Sequence, residues 1–166
     1  HLQGDGVVTM QYRGGRVDLA RYEWRHNAPL SLAYALDDYA GFKAAHHDGP
    51  TNPLSAEYWH YQPSDGLQPQ AGKCFSIDDG ILGISTDIPP ESLSDLEYVA
   101  VFTDGVSQID GLDWKQAVLE LLAFKTTAGE FAKRRLNRMV KDAQKTGKGP
   151  MDDIAYAVIH IQQDAL

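Results

Sequence analysis

The chain has 166 residues, 43% of them apolar and 10% aromatic, with a formal net charge of −8 at pH 7. That size and composition suit one globular domain with a sizeable core and exclude a disordered tail, and the apolar runs are too short to span a membrane. The acidic balance argues against a nucleic-acid partner, which needs a basic footprint, and is compatible with a divalent cation.

The start, His1-Leu2-Gln3-Gly4, is neither a signal peptide nor an obvious affinity tag. Gly6 to Trp24 reads as a β-hairpin, with a β-prone run from Val7 to Tyr12 and Gly14-Gly15 as a two-residue turn signal. From Asn27 to Gln70 the pattern dissolves among Pro29, Pro50, Pro53 and Pro63, and scattered aromatics predict an ordered, flap-like excursion over 27–70. Strand signals resume at Lys73–Ile77 and Ile81–Ser85. The single cysteine, Cys74, excludes an intramolecular disulfide and reads as a small buried hydrophobe; it fits a reducing cytoplasm, the expected compartment.

Tyr98 to Thr103 is a continuous apolar run, expected of a strand buried on both faces, and it stops at Asp104-Gly105. Two helices should follow. Trp114, Ala117, Val118, Leu121 and Leu122 recur at helical spacing behind Asp113 as N-cap. Ala132, Leu136, Met139, Val140 and Ala143 make a second stripe, with Thr127 and Glu130 as a capping box, ended by Gly147, Gly149 and Pro150. The basic run Lys133-Arg134-Arg135, with Arg138 and Lys141, reads as the solvated face of that helix. The last strand is Ile154 to Ile161, preceded by Asp152-Asp153.

An aspartate closing an apolar strand is costly unless it is solvated, paired or coordinating. Asp104 is one such residue, and Gly105 lets the backbone turn sharply beside it. Asp152 and Asp153 lead into another apolar strand, so two or three carboxylates converge at one sheet end if the strands are neighbours. Oxygen-only ligation suits Mg²⁺ or Mn²⁺. Spacing alone leaves the bland reading open, because DG and DD are common turn dipeptides. His46, His47 and His60 match no metal-ligand spacing and read as exposed loop residues; Tyr58-Trp59 reads as packing or as a recognition patch. Ser31, Ser76 and Ser85 lie in no nucleophile elbow, and "GKGPMDD" is not a phosphate loop.

The segment "YVAVFTDGVSQ" (98–108), two helices, and then "GPMDDIAYAVIHI" (149–161) resemble, in that order, the C-terminal half of the metal-dependent type 2C serine/threonine protein phosphatases. The opening "LQGDGVVTMQYRGGRV" is similar to that family's G-D-S/G strand and hairpin. The resemblance implies an α+β fold, an α-β-β-α sandwich of two antiparallel sheets flanked by helices. It further implies hydrolysis of phosphoserine and phosphothreonine in proteins by a metal-activated water, with two Mg²⁺ or Mn²⁺ ions in the complete enzyme. Asp104 and Asp152 take the family's metal-ligand positions; Asp153 stands beside them as support or a further ligand, Gly105 shapes the backbone, and Asp5 supports the sheet. The family's N-terminal Arg, E-D pair and D-G-x-x-G motif have no counterpart, so the expectation is one phosphatase-like domain, residues 1–166, incomplete at its N-terminus. Alone it should be inactive or weakly active, and it should need the missing segment or a second chain to complete its sheets. The catalytic residues stay unassigned. The competing expectation is a non-catalytic, phosphatase-like protein-binding module.

Overall fold

The computed structural model describes residues 4–24, 38–46, 54–76, 78–79 and 83–163. Among them, seven strands form one antiparallel sheet, and three α-helices complete a mixed α+β fold. Strands β1 (Gly6–Tyr12) and β2 (Val17–Trp24) are the expected hairpin, in register from Gly6↔Tyr22 to Gln11↔Val17. Its turn is longer than two residues: the Tyr12 N–H donates to the Arg16 carbonyl at 2.8 Å, leaving Arg13, Gly14 and Gly15 as the loop. Both glycines lie at positive φ (87° and 88°), where a side chain would be strained.

The flap-like excursion is corrected in its second half. Helix α1 (Tyr39–His46) precedes β3 (Leu54–Gln62), which pairs with β2 along its whole length, and β3 also carries β4 (Gly66–Pro69) and β5 (Lys73–Phe75). Residues 54–62 and 66–69 are therefore sheet, joined by a turn over 63–65. The alternation is present in "LSAE", where Leu54 and Ala56 are buried, but from Tyr58 onward both faces carry half-buried aromatic and polar residues, which hides the period. Residues 27–37 and 47–53 of the excursion, like Ile77, Ile81 and Leu82 in the expected strands after it, lie outside the described residues.

The sheet order is β4-β3-β2-β1-β6-β7, with β5 also on β3, where β6 is Leu96–Phe102 and β7 is Tyr156–His160. Helices α2 (Trp114–Leu122) and α3 (Phe131–Lys145) follow β6. Val7, Leu19, Ala100 and Phe102 pack beneath Val106, Trp114, Val118, Leu121 and Met139 in the larger core. All five stripe residues of α2 are buried, and the Asp113 side chain caps it by accepting from the Lys115 N–H at 2.9 Å. The capping box expected for α3 is absent: the helix starts at Phe131, its N-cap Glu130 makes no side-chain cap, and Gly129 at φ 60° interrupts the chain between Thr127 and the first turn.

On the opposite face, Tyr22, Trp24, Leu54 and Ala56 pack with Phe42 and Phe75 in a smaller core over β2 and β3. Beyond it Ile84, Thr86 and Ile88 lie across Val8, Met10 and Val99, and only towards β7 do the described residues leave the face open. The expectation that β6 is buried on both faces is corrected accordingly: burial alternates along it, and Val101 is 44% exposed and Ile159 of β7 66%. Among the described residues no helix is long and apolar enough to cross a membrane.

Candidate metal centre

Asp104 begins a short 3₁₀ turn, Asp104–Ser107, one residue past the end of β6, and Asp152-Asp153 stand ahead of β7, separated from it by Ile154 and Ala155. Because β6 and β7 pair antiparallel with Phe102 opposite Tyr156, both motifs emerge at the same end of the sheet. Backbone and side-chain interactions join them. The Thr103 N–H donates to the Ala155 carbonyl at 2.9 Å, and the Ala155 N–H donates back to Thr103 Oγ1 at 2.9 Å. Farther along, the Met151 N–H donates to the Gln108 carbonyl at 2.8 Å, and Ile109 bridges Pro150.

Gly105 is buried in this seam, and its lack of a side chain is a steric necessity. A Cβ there would lie 2.2 Å from the Asp153 carbonyl oxygen, closer than any real contact, and that oxygen belongs to backbone. Glycine thus allows the Asp104 turn to press against the Asp152-Asp153 backbone. The carboxylates of Asp104, Asp152 and Asp153 are all on exposed residues.

Their partners differ. Asp152 accepts from the Asp153 N–H through Oδ1 at 2.7 Å and faces Gln108 Nε2 through Oδ2 at 3.4 Å. The Asp153 carbonyl accepts from Thr103 Oγ1 at 3.3 Å. Asp5, just ahead of β1 at the same sheet end, accepts the Trp24 N–H through Oδ1 at 2.9 Å and so ties the hairpin's ends together, in keeping with its expected role in the sheet. Burial pushes the Asp5 carboxyl above its ordinary value, and the nearby Asp104 and Glu23 carboxylates push the same way against the Trp24 N–H and Arg21. Asp5 therefore senses Asp104, and this end of the sheet is acidic.

Among the described residues no three His, Cys, Asp or Glu side chains come together as a metal-binding group. What the fold supplies is a pair, Asp104 and Asp152, on interlocked backbone. Sequence reasoning missed the contributions of Thr103 and Gln108. Both stood beside the quoted aspartate, but the hydroxyl's role depends on which strand lies opposite.

Other candidates resolve elsewhere. His60 sits in β3 and not in a loop: its half-buried ring places Nδ1 2.6 Å from Asp18 Oδ1. His47 lies outside the described residues, as does the side chain of His46. Tyr58 and Trp59 pack against the smaller and larger cores respectively. Cys74 is exposed on β5 rather than buried, because its neighbour Phe75 takes the inward position opposite Leu54. No protein-family model, curated protein or solved structure matches the chain.

Proposed function

We propose that the chain carries part of the centre of a metal-dependent phosphatase, hydrolysing phosphoserine and phosphothreonine in proteins, with Asp104 and Asp152 as metal ligands. The observation that carries this reading is the Gly105 contact. A glycine forced by the Asp153 carbonyl holds two exposed aspartates from distant segments on touching backbone. A turn aspartate with no task beyond the turn requires no such partner.

The donor set fits a hard cation in part. Two carboxylates supply a fraction of the roughly six positions around Mg²⁺, an ion that keeps several waters and often uses only one or two protein carboxylates. When bound, Mg²⁺ or Mn²⁺ supplies a water of lowered pKa and charge neutralisation at the phosphoryl group. The chain's own residues do the rest. Gln108 orients the Asp152 carboxylate, the Thr103 hydroxyl fixes the spacing of the two segments, and Asp5 adds negative charge behind Asp104. In this reading the exposed part of that face, at Val101 of β6 and Ile159 of β7, meets a second sheet about 10 Å away, completing an α-β-β-α sandwich. Its support is the exposure of Val101 and Ile159.

The test is paramagnetic. Mn²⁺ should broaden the amide signals of residues 103–108 and 150–155, and Asp104→Asn should abolish the broadening. In the complete enzyme, turnover of p-nitrophenyl phosphate should fall at least about 100-fold on the same substitution, since even supporting residues around a metal are worth 10–100-fold. Broadening that is absent, or indifferent to Asp104→Asn, defeats the proposal. It would leave the second reading, a non-catalytic binding module.

A further inference from the structure

The basic residues of α3 do more than face water. Phe124 and Lys125, in the connection after α2, and Phe131, Arg134, Arg135 and Arg138 of α3 line a pocket of about 210 Å³. Four cationic side chains thus converge in a chain of net charge −8. Among the described residues no carboxylate lines the pocket.

The surrounding acids neutralise part of this charge. Glu120 Oε1 lies 3.4 Å from Arg135 Nη2, Asp142 Oδ2 lies 3.8 Å from Arg138 Nε, and Glu130 pairs with Lys133 outside the lining. Arg134 donates from Nη2 to the Ala128 carbonyl at 2.7 Å, which holds its guanidinium in place without cancelling its charge. Lys125 makes no ion pair with any described residue. The pocket floor is aromatic: the Phe124 ring meets Phe131 edge-on at 4.8 Å and Tyr98 at 5.2 Å.

We infer that this pocket docks a phosphorylated peptide segment. Guanidinium forks match the oxygens of a phosphate monoester, and a peptide adds flanking side chains that use the two phenylalanines. Inorganic phosphate would use only the cations. A nucleic acid would bring a long run of phosphates toward a strongly acidic protein, which is unfavourable beyond the pocket. The site is separate from the carboxylate end. Phe124 packs on Tyr98, four residues back along β6 from Phe102, which is about 14 Å of strand.

The test is fluorescence anisotropy of a labelled phosphoserine peptide with apolar flanking residues, in EDTA so that no hydrolysis intervenes. The phosphopeptide should bind about ten-fold or more tighter than its unphosphorylated form, as expected for one charged hydrogen-bonded contact. Lys125→Glu and Arg134→Glu, both exposed and outside the cores, should each weaken it about ten-fold. Asp104→Asn should leave it unchanged, so this inference and the proposed hydrolysis fail independently. Equal affinity for the two peptides, indifference to both charge reversals, inorganic phosphate competing with the peptide's own affinity, or a single-stranded oligonucleotide binding more tightly would each overturn it.

Discussion

The two faces of the sheet are built from similar residues and have different fates. On one face Leu121 and Val118 of α2 close over β1 and β6, and the larger core excludes water completely at several positions. On the other, Val101 and Ile159 stand on neighbouring strands with much of their surface in solvent. Both sets are β-branched or aliphatic, so strand propensity does not separate them. What separates them is the presence of an amphipathic helix opposite. The hydrophobic pattern of a strand thus reports that a face wants cover, and only the second element reports whether it has it.

Four variants put numbers on that difference. Leu121→Ala, on the covered face, should cost about 2–5 kcal/mol in chemical denaturation, because a fully buried leucine leaves a cavity among α2, β1 and β6. Gly105→Ala should cost about 1–3 kcal/mol as an overpacked site, and should also disturb the Asp104–Asp152 seam, read as shifted amide signals at 150–155. A stable Gly105→Ala protein with unshifted signals would mean that the seam is not tight.

Asp113→Ala should cost about 1 kcal/mol by removing the cap of the helix that covers the larger core. The loss should depend on pH. Burial raises the Asp113 carboxyl, but hydrogen bonds and charge from Lys115, with a backbone bond from Gln116, outweigh it and hold the group below its ordinary value of 3.8. The folded state therefore favours the ionised form. The stabilisation is present above pH 3.8 and is lost as pH falls through the depressed value, so wild type and variant should converge in strong acid. The smallest effect is expected on the bare face. Val101→Thr with Ile159→Thr should change stability by less than about 1 kcal/mol in total, at about 0.5 per exposed site, measured on dilute protein. A loss as large as that of Leu121→Ala would show that something covers this face in solution.

Much of the helical half was legible in the sequence. Asp113 and the 3.6-residue stripe behind it name α2 to within a residue, since cap and period are both local signals. The hairpin was legible for the same reason, although Arg13 joined its loop. β3 was not, because its central position gives both faces something to touch and erases the alternation. Thr127 and Glu130 had the spacing of a capping box, yet Thr126 Oγ1 instead accepts the Ala128 N–H at 3.3 Å and Gly129 turns left-handed, so the helix begins later. The two aspartates were visible singly. Their juxtaposition was not, because it rests on Thr103 and Gly105 meeting backbone some fifty residues away, a pairing that no local pattern encodes.

Among the described residues β7 is an edge strand, held on one side only by five residue pairs with β6. Edge elements open locally more readily than central ones, and such openings are counted by amide hydrogen exchange. When β7 leaves the sheet it carries Asp152 away from Asp104. Any ion spanning the two would therefore bind only the docked population, so its affinity would rise and fall with the exchange protection of residues 156–160, and its binding would slow that exchange in turn.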